Sequence, residues 1–390
     1  MRHTISRRKW LAMASGTLLT ACGGGGSSSG GGTVTTPPPS PPPPAPPSLD
    51  AIKDAAAAKN MYFGATINTG ATYNDASYRE LMSTHCNLAV AENDHKWEAL
   101  RPSPSSYTFG NGDELVDWTR GQGIDFRYHT LLWEAEERYP DWFDTYDFGS
   151  DPATEAERLL TDHIQTVAQR YAGDMVSWDV VNEAVHNATG AYRSSPFSRA
   201  LGGMEPVLDI AFHTARTELP SAQLVYNDFM SWYSDSTHRD GVLRLLEGML
   251  NRGTPIDALG IQSHIWGGNS GGFGSDETAW RTFLDEVTGM GLGLVLTEFD
   301  VDDKDLPADI ETRDEQVAEV TREYLSIMFD YEEVRTLTCW GLVNGYSWLQ
   351  GFNPRADGRD KRPLPFDDDY NPTPMAFAIR DAFEGATARG

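Results

Sequence analysis

Two glutamates and their neighbours set the chemistry. Glu183 closes the apolar run Trp178-Asp179-Val180-Val181-Asn182-Glu183, and Glu298 lies in Leu296-Thr297-Glu298-Phe299-Asp300-Val301, 115 residues further on. Either alone reads as a strand-end carboxylate paired with an arginine. As a facing pair they can cleave a glycosidic bond: one carboxyl protonates the leaving oxygen, and the other attacks or activates water on the opposite face of the sugar. Asn182, an amide beside one of the acids, suits a sugar hydroxyl.

The elements that must position them are legible as alternation. Eight short apolar runs follow one another: Met61–Asn68, Asn87–Asn93, Asp125–Trp133, Val176–Glu183, Gln223–Asp228, Leu259–Ile265, Gly293–Val301 and Thr336–Val343. Each is followed by a segment with helical periodicity or helix-start signals, such as the stretches beginning at Glu155 and Asp314. Strict alternation predicts parallel strands, and eight units predict an α/β fold of the (β/α)8 TIM-barrel type. No glycine-rich phosphate-binding turn follows the first run, which argues against an open doubly wound sheet. Barrel chemistry lies at the C-terminal strand ends. Here those ends carry Glu92, Asn93 and Lys96 (strand two), His129 and Trp133 (three), Asn182 and Glu183 (four), Asn227 and Asp228 (five), Gln262 and His264 (six), Glu298 and Asp300 (seven) and Trp340 with Trp348 (eight). Strands four and seven face each other across an eight-strand mouth, so Glu298 is the partner for Glu183. Tryptophan rings stack on the C–H faces of pyranoses, although each tryptophan taken singly is as well explained as core, and a lone histidine as a satisfied core residue. Asp300 either points into the site or caps the next segment.

In order along the chain, Glu92-Asn93-Asp94-His95-Lys96-Trp97, His129-Thr130-Leu131-Leu132-Trp133, the Trp178–Glu183 run, Tyr226-Asn227-Asp228, Ile261-Gln262-Ser263-His264, Thr297–Val301 and Trp340–Trp348 together resemble retaining glycoside hydrolase family 10, mostly endo-β-1,4-xylanases. The likeness covers roughly Asp54 to Phe383. It implies that Glu183 is the acid/base and Glu298 the nucleophile, and that Asn182 donates to the 2-hydroxyl of the sugar under attack. It also implies that His264 orients Glu298, that His129, Gln262, Trp133, Trp340 and Trp348 line the same subsite, and that Glu92, Asn93 and Lys96 hold the next sugar outward. The sequence departs from the family after Trp133: Glu134 replaces a histidine and Glu136 a sugar-binding glutamine, in a longer loop to Tyr139. These carboxylates are expected to face and weaken the outer glycone subsite. Asn344 stands where an aspartate is common and His95 where methionine is common.

The N-terminus has Arg7, Arg8 and Lys9, a short apolar stretch and then Leu19-Thr20-Ala21-Cys22, the order of an export signal (1–22) ending at a lipid-modified cysteine. Residues 23–48, rich in glycine, serine and proline, read as a disordered tether because that composition cannot bury a core. Residues 49–386 are left for the catalytic domain. A net charge of −26 repels nucleic acid and anionic lipid, so the expected partner is a neutral polysaccharide, xylan or xylooligosaccharides, with the membrane reached only through the lipid. The chain is expected to act as a monomer in the cell envelope, or in the periplasm or outside the cell. Cys86 and Cys339 have no metal-ligand spacing and read as buried thiols or a single bridge. Neither metal nor cofactor is expected, since a metal hydrolase calls for clustered His and Asp ligands. The glycine-rich segment Gly267–Ser275 is a candidate flexible rim. Alternatives to an endo-acting xylanase are a relative acting on xylooligosaccharides or aryl β-glycosides, and a surface glycan-binding lipoprotein without turnover; the matched glutamates and Asn182 argue against the last.

Overall fold

The computed structural model describes residues 48–268 and 275–390. The signal, Cys22, the tether up to Pro47 and residues 269–274 of the glycine-rich rim lie outside them. Eight parallel strands form a closed ring: β1 (Tyr62–Ile67), β2 (Leu88–Ala91), β3 (Asp125–Tyr128), β4 (Met175–Asn182), β5 (Gln223–Asp228), β6 (Ala258–Ile261), β7 (Gly293–Asp302) and β8 (Val334–Cys339). Each pairs with the next, and β8 pairs with both β7 and β1, which closes the barrel. All eight apolar runs are staves of this (β/α)8 barrel.

Two runs are interrupted where the sequence reads as continuous. β3 stops at Tyr128 because the next three residues turn onto Asp179 of β4: His129 Nδ1 lies 2.9 Å from its carboxylate, and Thr130 Oγ1 and the Leu131 N–H donate to its carbonyl at 3.0 and 2.9 Å. Leu132–Trp133 then resumes as a two-residue strand, pairing Trp133 with Asn182. β6 stops at Ile261, where Ser263 adopts φ +62° and its hydroxyl bonds the Ile261 carbonyl and the Tyr324 hydroxyl. His264–Trp266 resumes against the end of β7, with His264 opposite Asp300. Both breaks aim polar side chains at the mouth.

The helices follow from capping and periodicity. Helix Pro152–Tyr171 starts on an Asp151 cap that accepts the Thr154 N–H, carries proline in its first turn, and buries Leu159, Leu160, Ile164, Val167 and Ala168 as one stripe. Helix Ile310–Met328 begins four residues before Asp314 because Asp309 caps it. At the opposite end of the barrel from the polar strand ends, Arg389 donates from Nε to the Val334 carbonyl (2.9 Å) and its N–H to the Lys59 carbonyl (2.8 Å), tying the C-terminus across the start of β8. Cys86 and Cys339 are both buried and unpaired. Among the described residues no helix is long and apolar enough to cross a membrane.

Candidate active site

Glu183 reaches the barrel mouth by leaving the strand. β4 ends at Asn182, and the next residue takes φ +57°, a left-handed conformation that costs a non-glycine residue about 1–2 kcal/mol. Surrounding bonds must hold it, beginning with its own N–H, which donates to the Asn227 carbonyl at 2.9 Å. A continuous run of amides joins it to Glu298. Gln262 Nε2 donates to Glu183 Oε1 (2.9 Å) and Asn182 Oδ1 (3.3 Å), while Asn227 Nδ2 donates to Asn182 Oδ1 (3.0 Å) and Glu298 Oε1 (2.8 Å). The Asn227 amide is fixed by Thr297, whose hydroxyl donates to its Oδ1 at 2.7 Å. That decides Asn182 as well. A turned Asn182 amide would accept from Trp133 Nε1 at 3.3 Å and donate to the Asn227 carbonyl at 3.1 Å, but would set its N–H donors against those of the Asn227 and Gln262 side chains. Gly260, opposite Asn227 on β6, leaves the room this requires, because a methyl group there would collide with Asn227 Oδ1.

The two carboxyls sit in opposite environments. Burial pushes the Glu183 pKa up, and the neighbouring Asp228 charge pushes it further. Burial also acts on Glu298, but there it is outweighed: hydrogen bonding to His264 and the charges of His129 and His264 bring its pKa down to about 2. His264 Nε2 lies 3.4 Å from Glu298 Oε2, and its Nδ1 lies 2.9 Å from Asp300 Oδ1. Asp300, buried, also accepts the Trp348 indole N–H at 2.8 Å. For His264, burial favours the neutral ring, yet the Asp300 and Glu298 carboxylates raise its pKa to about 10. On the other side His129 stands 4.0 Å from Glu298 Oε1 and is held by Asp179, itself paired with buried Arg127. A carboxyl biased toward its protonated form and one biased toward its ionised form, in one mouth, are the arrangement that acid-assisted displacement needs.

The sequence profile of glycosyl hydrolase family 10 matches residues 51–382. The chain belongs to that family. It is 32% identical to a β-1,4-xylanase of Dictyoglomus thermophilum over 77% of this chain and 83% of that protein. It is 31% identical to endo-1,4-β-xylanase B of Paenibacillus barcinonensis over 85% of this chain and 97% of the relative. In three dimensions it is similar to native xylanase 10B of Thermotoga maritima, with a TM-score of 0.76, 28% identity, and coverage of 86% and 98% of the two chains. The similarity extends to xylanase 10B of Thermotoga petrophila in complex with xylobiose, with a TM-score of 0.77, 26% identity, and coverage of 87% and 99%.

Within this family 10 barrel the remaining sequence candidates fall around the same mouth. Glu92 accepts from Asn68 Nδ2 at 2.5 Å, and exposed Asn93 accepts from Lys96 Nζ at 3.0 Å. Lys96 is buried, which lowers its pKa, and its ammonium lies 4.9 Å from the Trp133 ring and 5.7 Å from that of Trp340. The three tryptophans differ. Trp340 is 8% exposed and packs edge-on against His129, whereas Trp348 is 36% exposed and offers the open platform. Trp133 also takes the Arg138 guanidinium at 4.6 Å, so two cations lie over its ring. The loop after it departs from expectation. Glu134 is buried beneath the loop, with Tyr139 donating to its Oε1 at 3.3 Å, and Glu136 pairs with Arg199 at 2.8 Å in an exposed position. Each finds its partner within the loops that follow β3 and β4.

Some working residues carry no clear sign in the sequence. Asn227 reads only as a strand end, yet its register opposite Asn182 makes it the bridge between the two halves of the site. Asp179 is hidden in an apolar run, though its alternation with Val181 would put it on a barrel face. Asn68, which holds Glu92, follows the first strand with no distinguishing pattern. Asp300 is settled: it faces the site.

Proposed function

We propose that this chain is a retaining endo-β-1,4-xylanase, hydrolysing xylan by double displacement through a covalent glycosyl-enzyme intermediate. Family membership and xylanase relatives at about 30% identity support the substrate class. Family 10 membership carries the retaining course, and the opposite bias of the two carboxyls, Glu183 raised and Glu298 lowered to about 2, assigns the acid and the nucleophile. In this reading Glu298 attacks the anomeric carbon as a carboxylate while Glu183 protonates the departing oxygen; Glu183, now ionised, then takes a proton from water as that water releases the sugar. Asn182 presents its amide to the 2-hydroxyl, Trp348 lines the subsite of that same sugar, and the Glu92, Asn93 and Lys96 group binds the neighbouring xylose. Digestion of xylan with product sizing should give internal cleavage into short oligomers, and proton NMR should give a first product with retained configuration. Release of single xyloses from chain ends alone would contradict the endo assignment, and an inverted product the mechanism.

The same proposal includes anchoring. Leu19-Thr20-Ala21-Cys22 ahead of a glycine-rich tether supports acylation of Cys22 in a bacterial envelope, with the tether giving the barrel reach toward polymer. Cys22→Ser should release the protein from membranes; a wild type found wholly soluble outside the cell would count against it.

A further inference from the structure

Behind Glu183 lies a buried polar group that the catalytic roles leave unused. Tyr226, on β5, is fully buried, and its hydroxyl accepts the Ala184 N–H at 3.0 Å while donating to Asp228 Oδ2. Asp228 Oδ1 takes the Phe229 N–H at 2.9 Å and lies 3.2 Å from His238 Nε2. Ala184 directly follows the left-handed Glu183. Around this turn the Glu183 N–H goes to the Asn227 carbonyl, and the Ala184 carbonyl takes the Arg193 N–H at 2.8 Å. Both are backbone bonds. Only the Ala184 N–H depends on a side chain.

We infer that Tyr226 is a positioning residue for the acid/base: its hydroxyl, oriented by Asp228, fixes the peptide between Glu183 and Ala184 and so the direction of the Glu183 carboxyl. This rests on Glu183 being the acid. Without the hydroxyl, the Ala184 N–H is left buried and unpaired, and the peptide gains by rotating toward another acceptor. Such a rotation turns the carboxyl away from the leaving oxygen without touching Glu298.

The test compares leaving groups. Tyr226→Phe is assayed beside wild type and Glu183→Ala on a dinitrophenyl β-xylobioside, whose phenol departs without protonation, and on xylohexaose, whose sugar leaving group needs it. For Tyr226→Phe the expected loss in kcat/KM is at least 10-fold on xylohexaose and less than about 3-fold on the aryl glycoside. The phenol leaves unaided whichever way the acid points, and a purely structural defect would lower both alike. If the single variant does not fold, Tyr226→Phe with Asp228→Asn removes the hydroxyl together with the charge it satisfies; its split should exceed that of Asp228→Asn alone, and a split no larger than that overturns the positioning role. Equal losses on both substrates, or none, while Glu183→Ala shows a split, overturn the positioning role and leave the acid assignment standing. If Glu183→Ala shows no split, the acid assignment falls and this inference with it.

Discussion

Asp300→Asn is the sharpest perturbation of the charge arrangement, because it leaves every group next to the sugar in place. Asp300 serves two donors, His264 Nδ1 at 2.9 Å and Trp348 Nε1 at 2.8 Å. An asparagine has one acceptor oxygen and one NH2, so with Oδ1 kept on the Trp348 indole its NH2 meets His264 Nδ1, which can accept it only in the neutral ring. His264 rises from 6.5 to about 10, which corresponds to about 5 kcal/mol in favour of the imidazolium, held jointly by Asp300 and Glu298. With residue 300 neutral, burial draws the ring toward its neutral form in the working pH range. Glu298 then loses its hydrogen-bonded cation and its pKa climbs from about 2. Losing one charge-assisted bond costs about 1.5–3 kcal/mol, or about 10- to 150-fold in kcat/KM. The assay is the pH dependence of kcat/KM on an aryl β-xylobioside with an activated phenol, which isolates the Glu298 step from the acid. The acid limb should move to higher pH. An unmoved limb with kcat/KM within twofold of wild type would refute the claim that Asp300 keeps His264 charged for Glu298.

Asp228→Asn removes the charge that, after burial, does most to raise Glu183; the Glu183 pKa should fall, and the alkaline limb for xylan hydrolysis should shift toward lower pH. Glu134 is buried with its pKa raised from 4.5 to about 7, so ionising it costs stability: the cost is absent below pH 4.5, grows as pH rises, and is complete above about 7. Glu134→Gln should therefore match wild type in unfolding free energy at pH 4 and exceed it at pH 8, by up to about 3 kcal/mol, while a constant difference across pH would argue against a buried ionising carboxyl. Gly260→Ala should push Asn227 off Glu298 and lower kcat more than it raises KM, with the barrel still folded by circular dichroism; a fully active variant would mean the amide bridge is dispensable.

The barrel was legible because parallel staves buried on both faces read as apolar runs, and because Asp151 and similar caps mark where the helices start. The site was legible where strand ends carry polar residues that no core would choose, as with Asn182-Glu183 and Glu298. It was opaque where function depends on register between distant strands: Asn227 gains its role from lying opposite Asn182 and Gly260, contacts made across segments far apart in the chain. The partners of the loop after Trp133 were hidden for a related reason. In the sequence Glu134 and Glu136 stand where the family has a histidine and a sugar-binding glutamine; in the fold Tyr139 and Arg199 supply their partners, and the direction of a loop side chain is set by such partners rather than by local pattern.

The assignment of Glu298 as nucleophile is tested most directly by trapping the intermediate. A dinitrophenyl 2-deoxy-2-fluoro-β-xylobioside should glycosylate the enzyme quickly and release it slowly, because the fluorine destabilises both transition states while the phenol speeds only the first step. Intact-mass analysis should then give one added fluoroxylobiosyl group per chain, and peptide mapping should place it on Glu298. A label on any other residue, or no covalent adduct while the wild type turns over xylan, would contradict the account.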